Sequence, residues 1–456
     1  MDSWRAARFP ELPGRGPETR IRDTSSGRLV TAAAGRVATL YACGITPYDA
    51  THIGHAATFI AWDLLVRAWR DAGHEVSYAQ NVTDVDDPLL ERAARDGADW
   101  RDLADREIAR YRADMEALRV LPPDHYVGAV EALGVIERFN QLLADRGTLY
   151  DLDGDIYFTR SADAAFGTVA GLDTPAMLAL AAERGGDPGR AGKKDPLDPV
   201  VWVAARPGEP AWESVFGSGR PGWHVECAAI AAEYLGVSFD VQAGGTDLAF
   251  PHHEMSASHA RVALGGAGGP AGPVFARCYA HAGMVRLDGE KMSKSRGNLV
   301  FVSRLLAAGN DPMAIRLAII AHHYAEDWDW TEQGLAAASA RLARWRRAVA
   351  LATTAPPAAS ETRSSEAPSP AALAAAPVAA APPVPGGPVP AGPDVLAAVR
   401  ARLADDLDAP GAIAAVDSWA AAVLAAAGSP SPEQAEDAWL VAATVDALLG
   451  IELRPS

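Results

Sequence analysis

The 456-residue sequence has few lysines, few cysteines and no long apolar runs. Lysine occurs only at the four positions Lys193, Lys194, Lys291 and Lys294, and the net charge of −17 argues against a broad electrostatic grip on nucleic acid. Three cysteines cannot form a disulfide framework, which favours a reducing compartment. The start of the chain lacks an apolar signal-peptide core, and no apolar run is long enough to span a bilayer. We therefore expect a cytoplasmic protein that does not contact membranes.

Two short segments far apart in the chain point to nucleotide chemistry when they are taken together. His52-Ile53-Gly54-His55 follows an apolar stretch and opens an amphipathic run over residues 56–69, which predicts a strand-to-helix turn. Lys291-Met292-Ser293-Lys294-Ser295 lies past the middle and holds two of the four lysines. Taken singly, the first segment is a chance match and the second a solvated loop. Their order and setting favour one split active site that uses a nucleotide.

The physical chemistry of each segment suits this interpretation. A helix N-terminus presents unpaired backbone N–H groups and a positive dipole, and Gly54 lets a base or phosphate approach the backbone closely. His52 and His55 add hydrogen-bond donors, while Lys291 and Lys294 can neutralise charge on a departing pyrophosphate. We therefore assign the catalytic role to these two histidines and two lysines.

Alternating strand and helix patterns predict an α/β fold. They indicate a strand ending at Cys43, a helix from about Gly54, a strand over residues 76–82 and a helix over about 100–118. A less regular region follows, and the pattern resumes with a helix over 225–235, a strand over 238–242 and a helix after Pro251. This rhythm implies a parallel sheet, with both segments meeting at a crevice beside the carboxyl ends of its strands.

These patterns divide the chain into six segments. The catalytic domain is expected in two halves, 1–120 and 221–304, separated by an inserted subdomain over 121–220. A helical region over 305–352 follows, and residues 353–393 form an Ala/Pro-rich tract with too few large apolar side chains to fold, which predicts a disordered linker. Residues 394–456 predict two or three short, Ala-rich helices in an acidic segment.

Two cysteines and a histidine pair suggest a metal site. Cys43 precedes the first segment, Cys227 ends the run Trp223-His224-Val225-Glu226-Cys227, and Pro251-His252-His253-Glu254 supplies imidazoles. Two thiolates and an imidazole suit Zn²⁺, and three protein ligands with an open fourth position are typical of a functional zinc. Cysteines that are simply buried apolar residues are the alternative, which we prefer for Cys278. Judged by residue spacing alone, a zinc site is a weaker hypothesis than buried apolar cysteines.

Several longer motifs resemble the class I cysteinyl-tRNA synthetase family over roughly residues 36 to 330. The matching motifs are residues 43–55, Asn81-Val82-Thr83-Asp84-Val85-Asp86-Asp87, residues 223–227, residues 250–254 and the lysine segment. The resemblance implies a Rossmann-like class I synthetase nucleotide-binding fold and one zinc held by Cys43, Cys227 and His252, with the substrate cysteine's thiolate on the metal. Serine would be rejected because its hydroxyl resists deprotonation and is a poorer ligand for a soft site.

Departures from that family are equally informative. The chain has Ile45 and Pro47 in the first motif, and Ser256 where the family places a glutamate ligand four residues after the histidine. A linker and a short acidic helical segment stand in place of an anticodon-binding domain. These departures resemble a branch of the family, the ligases of mycothiol biosynthesis that join cysteine to the amine of glucosaminyl-inositol. Residues 183–188 also match this branch, although a plain Gly/Pro turn is the alternative.

The resemblance implies ATP-dependent formation of cysteinyl-adenylate, with Mg²⁺ on the phosphates, followed by transfer to the amino sugar. L-cysteine, ATP and glucosaminyl-inositol are the expected partners; no tRNA is expected, and we expect a monomer. The adenylate would lie against Cys43, Gly44, Ile45, Thr46, Thr58, Asn81, Val82, Thr83, Trp223, Gly245, Thr246, Asp247 and Val285.

Two rival functions and one mechanistic choice stay open. The rivals are a cysteinyl-tRNA synthetase without a normal anticodon-binding domain and a catalytically inactive paralogue, which ranks last because both signatures are intact. The base for the acceptor amine is unassigned. Its candidates are Asp84, Asp86, Asp87 and Glu254, with solvated or helix-capping carboxylates the alternative for each.

Overall fold

The computed structural model describes residues 1–265, 275–292, 297–353, 389–426 and 430–453, and at Lys291 it describes the backbone alone. The strands of this part are β1 Arg20–Asp23, β2 Arg28–Thr31, β3 Val37–Ala42, β4 Glu75–Val82, β5 His125–Gly128, β6 Leu149–Leu152, β7 Asp155–Phe158, β8 Val200–Ala204, β9 Gly219–Pro221, β10 Ser238–Gly245, β11 Phe275–Ala282, β12 Val285–Leu287, β13 Glu290–Lys291 and β14 Trp328–Trp330. The helices are α1 Ile53–Ala72, α2 Asp87–Asp96, α3 Trp100–Ala117, α4 Leu133–Asp145, α5 Thr174–Glu183, α6 Trp223–Leu235, α7 Glu254–Leu264, α8 Val302–Ala307, α9 Pro312–Ile320, α10 Glu332–Ala352, α11 Gly392–Ala404, α12 Ala409–Ala425 and α13 Pro432–Leu449.

A parallel sheet forms the centre of the described chain. Its five strands have the order β11-β10-β3-β4-β5, and every neighbouring pair is parallel. The chain moves outward from β3 to β4 and β5, then returns to place β10 and β11 on the other side of β3. This reversal creates a crevice at the carboxyl ends of β3 and β10, where ligands bind in open α/β sheets.

Local sequence explains the elements around this crevice. Along β10 the residues after Ser238 are buried up to Gly244, as expected for a strand covered on both faces, although the run includes the polar residues Asp240 and Gln242. The helix α1 begins after His52 and ends at Gly73, which has a left-handed backbone conformation with φ of 94°. The predicted strand ending at Cys43, the helix from Gly54 and the helix near 225–235 are confirmed.

The predicted helical region after Leu305 is wrong in one place. The strand β14 interrupts it and pairs in parallel with β12, placing Val285 opposite Trp328. The physical reason is the alternation Trp328-Asp329-Trp330, in which Trp330 is buried and Asp329 is exposed, a period of two rather than 3.6.

The region between the two halves of the sheet builds a layer of its own. The strand β5 lies just past residue 120 and completes the parallel sheet, whereas β6, β7, β8 and β9 form a separate antiparallel sheet. The helix α5 packs through Met177 and Ala181 against Phe250 and Met255, beside the end of β10. The inserted layer therefore touches the turn that follows β10.

Three helices, α11 to α13, lie in the described part of the C-terminal segment, as the sequence predicts. The last of them, α13, is joined to α1 by a buried ion network in which Asp63 accepts a hydrogen bond from Arg67 at 2.8 Å and pairs with Arg316. The two guanidinium groups also donate to the carbonyls of Ala447 at 3.0 Å and Leu449 at 2.7 Å. Residues 354–388 of the predicted linker lie outside the described residues. None of the described helices has the length and apolarity that a bilayer crossing requires.

Candidate active site

The first signature forms the N-terminus of α1, as predicted. His52 is the N-cap, and its Nδ1 accepts a hydrogen bond from the Gly54 amide at 3.1 Å. The rings of His52 and His55 stack with centroids 3.8 Å apart. The Thr58 hydroxyl donates to the Gly54 carbonyl at 3.1 Å. The two histidines therefore lie together at the positive end of the helix dipole.

The chain that follows the second signature is hydrogen-bonded to this turn. The Ile53 amide donates to the Val300 carbonyl at 2.8 Å, and the Val302 amide donates to the Thr51 carbonyl at 3.0 Å. The backbone of Lys291 lies in β13, paired with β12, rather than in the loop that the sequence suggested. Lys294 lies outside the described residues, so its predicted role stays a prediction.

The ends of β3 and β4 are tied together tightly. The Gly44 amide donates to the Asn81 side chain at 2.8 Å, and the Thr83 amide donates to the Ile45 carbonyl at 3.0 Å. The Asn81 amide group in turn donates to the Thr83 hydroxyl at 3.2 Å. Among the remaining predicted adenylate residues of these strands, Val82 is buried at the end of β4, and Thr46 accepts the amide of Tyr48 at 2.9 Å. Predicted contact residues from two strands thus share one edge.

The ends of β10 and β11 supply the other side of this edge. Gly245 ends β10, and a methyl group added there would lie 3.8 Å from the Thr58 hydroxyl. Thr246 donates to the Ala282 carbonyl at 2.6 Å, and Asp247 follows in a short 3₁₀ turn. Val285 is buried at the start of β12. The structure therefore gathers the described residues predicted for the adenylate around the crevice.

The three predicted metal ligands lie together in the same crevice. One donor atom each from Cys43, Cys227 and His252 lies within 4.8 Å of the others, and all three residues are buried. Both cysteines are free thiols, and the Nε2 atom of His252 has no hydrogen-bond partner among the described residues. Two sulfurs and an unpartnered buried imidazole nitrogen fit a metal ion. The group can therefore hold a metal.

The surroundings of His252 fix its ring. The Trp223 ring stacks on it with centroids 4.4 Å apart, and its Nδ1 lies 3.1 Å from Nδ1 of His224. Burial lowers the pKa of His224 to about 3, so this ring is neutral. A neutral His224 ring can form a hydrogen bond with His252 through the two facing Nδ1 atoms. Ser256 donates through its hydroxyl to the His224 carbonyl at 2.9 Å. Ser256 therefore acts as a hydrogen-bond donor at the position where the related synthetases place a ligand.

A second histidine pair supports Cys43. Nε2 of His253 lies 3.2 Å from the Cys43 sulfur, and its Nδ1 lies 2.8 Å from Nε2 of His281. The Thr24 hydroxyl completes this chain, 2.6 Å from Nδ1 of His281. The sequence reasoning missed the supporting roles of His224, His253 and His281. His224 and His253 each follow a predicted site residue directly in the sequence, and this adjacency was the signal that could have identified them.

Burial shapes the electrostatics of the group. It raises the pKa of Cys227 well above the usual range, and the neighbouring Cys43 thiol raises it further. Burial also raises the pKa of Glu226, whose carboxyl oxygens make no hydrogen bond of ordinary geometry within the described chain. A cation placed among these groups would favour their ionised forms. A bound cation would therefore stabilise the ionised forms of these buried groups.

The four carboxylates considered as bases have structural contacts. Asp86 is the N-cap of α2, accepting the amide of Asp87 at 2.9 Å, which confirms the capping alternative for this residue. Asp84 accepts a backbone amide at 2.9 Å, and burial raises its pKa, like that of Asp86, to about 6. Asp87 pairs with Arg220, and Glu254 accepts two backbone amides of the inserted layer.

Comparison with known proteins agrees with this geometry. Residues 29–340 match the family model for the class I (C) tRNA synthetase catalytic domain. A protein from Thermomonospora curvata, named L-cysteine:1D-myo-inositol 2-amino-2-deoxy-alpha-D-glucopyranoside ligase, is 55% identical over 99% of this chain and 100% of its own. A Parafrankia protein of the same name is 57% identical over 100% of this chain and 94% of its own.

Solved structures show the same fold at low identity. A Mycobacterium tuberculosis methionyl-tRNA synthetase in complex with methionyl-adenylate superposes with a TM-score of 0.54 at 15% identity, over 91% of this chain and 90% of that chain. A leucyl-tRNA synthetase from Agrobacterium radiobacter gives a TM-score of 0.61 at 11% identity, over 92% and 84%. The fold is therefore that of class I synthetases, and the chain belongs to the L-cysteine:1D-myo-inositol 2-amino-2-deoxy-alpha-D-glucopyranoside ligase family, within the class I (C) tRNA synthetase family.

Proposed function

We propose that this protein ligates L-cysteine to the amine of glucosaminyl-inositol, through a cysteinyl-adenylate, as a step of mycothiol biosynthesis. One observation carries the proposal. The buried Cys43, Cys227 and His252 group lies at the same sheet edge as the N-terminus of α1. A thiol-binding group beside a phosphate-binding helix end suits the activation of cysteine by ATP.

In the first half-reaction the cysteine carboxylate oxygen attacks the α-phosphorus of ATP, and pyrophosphate leaves. Such a step is catalysed mainly by positioning and by stabilising charge on the phosphates. His52 and His55 donate at the end of α1, while Lys291 and Lys294 neutralise the departing pyrophosphate, with Mg²⁺ on the phosphates. We propose that the nucleotide binds beside the ends of β3 and β4, which lie close together because Gly44 has no side chain to meet the Asn81 carbonyl.

The group of three metal-ligand candidates also accounts for the selection of cysteine as substrate. We propose that Cys43, Cys227 and His252 hold one Zn²⁺, which when bound supplies an open position for the thiolate of the substrate. The Trp223 and His224 rings keep the His252 ring in place, and because Nδ1 contacts His224, we assign Nε2 as its metal-binding nitrogen. Serine is discriminated against because its hydroxyl is a poorer ligand and holds its proton more strongly.

In the second half-reaction the sugar amine attacks the activated carbonyl carbon, an amide bond forms, and AMP leaves with the carboxyl-derived oxygen. The amine must reach the carbonyl in its neutral form, because a protonated amine has no lone pair to attack with, and after the attack its nitrogen releases one proton to a base or to solvent. We place this chemistry in the cytoplasm, where thiols stay reduced, and we expect a monomer. The sequence predicts catalytic halves over 1–120 and 221–304 with a layer inserted between them; because β5 completes the parallel sheet, we propose that the first half extends to Gly128.

One assay separates this proposal from a tRNA synthetase activity. Purified protein receives ATP and cysteine, and then either glucosaminyl-inositol or tRNA, and the cysteinyl product is identified by mass. We expect cysteinyl-glucosaminyl-inositol and no cysteinyl-tRNA. Transfer to tRNA with none to the sugar would contradict the proposal. Pyrophosphate exchange alone does not discriminate, because both enzymes form the same adenylate.

A further inference from the structure

The segment over residues 183–188 contacts the candidate site through one side chain. Arg184 follows the last residue of α5, and its Nη1 atom donates to the backbone carbonyls of Asp247 and Phe250. These two residues belong to the turn over residues 246–253, which we call the metal turn because it contains His252. Arg184 thus reaches from the inserted layer to the part of the crevice that holds both a metal ligand and an adenylate residue.

The metal turn needs such a donor because its helical geometry is broken. Phe250 has an extended backbone, with φ of −138° and ψ of 135°, between the 3₁₀ turn and α7. Carbonyls beside a break lose the partners that a continuous helix would supply, and a buried carbonyl without a partner is costly. One guanidinium nitrogen donates to a carbonyl before the break, that of Asp247, and to the carbonyl of Phe250 at the break itself. The arginine therefore holds together a turn that the backbone alone does not close.

The inserted layer holds the other end of the metal turn as well. The Glu254 carboxylate accepts the amides of Val169 at 2.9 Å and Ala170 at 3.0 Å. Apolar contacts of Met177 with Phe250 lie between the two polar anchors. Displacement of the turn at Asp247 would therefore be transmitted to His252, because the far end of the turn stays fixed.

We propose that Arg184 is a positioning residue, which sets the metal turn so that His252 faces the two sulfurs and Asp247 lines the nucleotide crevice. This inference rests on the proposed function for its kinetic consequence but not for its structural one. Arg184 acts through the turn and is not assigned any contact with substrate. Loss of a side chain that orients metal ligands typically costs 10- to 100-fold in metal affinity or activity.

The test uses the full-length protein with Arg184→Met, which keeps most of the side chain's bulk but removes its donors. Arg138→Ala is the control, since Arg138 lies in α4, also between the two halves of the sheet in sequence, is 66% exposed and pairs with Glu233 at 3.6 Å. We expect Arg184→Met to speed amide hydrogen exchange over residues 246–254 and to weaken Zn²⁺ binding on the order of 10- to 100-fold. Cysteine-dependent pyrophosphate exchange should fall by a similar factor, and Arg138→Ala should match the wild type in all three measurements.

A rescue experiment distinguishes a missing donor from general damage. Arg184→Ala leaves space at the turn, and added guanidinium ion at millimolar concentration should restore part of its pyrophosphate exchange and none in Arg184→Met. If Arg184→Ala does not fold, as judged by circular dichroism, Arg184→Met alone decides. Wild-type hydrogen exchange and Zn²⁺ affinity in a folded Arg184→Met protein would overturn the proposal. Since neither measurement uses substrates, failure of the wild type to make the sugar product would refute the proposed function and leave this inference standing.

Discussion

Gly44 gives the sharpest prediction, because the structure states how far its neighbours would have to move. A methyl group added at Gly44 would lie 1.7 Å from the Asn81 carbonyl oxygen and 2.8 Å from the carbonyl carbon. Real contacts of this kind do not fall below 3.0 Å, so the ends of β3 and β4 would have to separate by about 1.3 Å. A misplacement of about 1 Å costs roughly 100-fold in rate when it disturbs reacting groups. We therefore expect Gly44→Ala to lower kcat/KM for cysteine-dependent pyrophosphate exchange by about 100-fold, or about 2.7 kcal/mol.

Pyrophosphate exchange is the right assay, because it reports adenylate formation without the acceptor. Gly35→Ala is the control, since a methyl group at Gly35 would meet nothing within 4 Å and its backbone needs no left-handed conformation. It should exchange pyrophosphate at the wild-type rate. Circular dichroism and thermal melting of both variants separate loss of fold from loss of the site. A folded Gly44→Ala protein that exchanges within threefold of the wild type would refute the requirement for close approach at this position.

Three further substitutions test other parts of the structure. Asp63→Asn removes the buried anion that Arg316 contacts. The free energy of unfolding should fall by about 3–5 kcal/mol, which lowers the Tm in calorimetry by roughly 4 °C. An unchanged Tm would contradict the network. Burial is the largest single influence and opposes ionisation of Asp63, but the charges and hydrogen bonds of Arg316 and Arg67 together outweigh it and lower its pKa. The stabilisation from Asp63 therefore holds at neutral pH and disappears as the pH falls through that lowered pKa. The Asp63→Asn protein should accordingly lose less Tm on acidification than the wild type. Cys227→Ser should release most of the metal on dialysis, measured by mass spectrometry of the metal, and full occupancy would refute its assignment. Ser256→Glu, which adds a buried carboxylate four residues after His252, should slow metal loss to a chelator yet lower the Tm of metal-free protein; no change in either would argue against proximity to the metal.

The parts of the fold that follow from local pattern were predictable from the sequence. The apolar run before Cys43 and the amphipathic run after Gly54 specify β3 and α1, because strand and helix periodicities differ. The same reasoning found α6, which contains Cys227. The metal group itself depended on a family resemblance, since three single ligands on three elements leave no short spacing to read.

The contacts that were missed join residues with no local relation. Arg184 is 63 residues from Asp247, and Arg316 is 253 residues from Asp63. Each arginine looks like an ordinary surface charge in the sequence, and only the packed structure shows which carbonyl or carboxylate it meets. The Trp328-Asp329-Trp330 strand was missed for a different reason: a three-residue alternation is too short to outweigh the helical patterns on both sides.

Ser256 bears on both the number and the placement of the proposed metal ligands. It lies in the first turn of α7, four residues after His252, where the family resemblance predicts a glutamate ligand. Its short hydroxyl instead donates to the carbonyl of His224, on the helix that also bears Cys227, and the His224 ring contacts His252. The serine therefore joins α7 to α6, which contains Cys227, while the His224 ring joins α6 to His252. A site with four protein ligands must release one or expand its coordination before a thiolate can enter, whereas a three-ligand site already has the position open. We therefore expect the cysteine thiol to bind here without displacing a protein ligand.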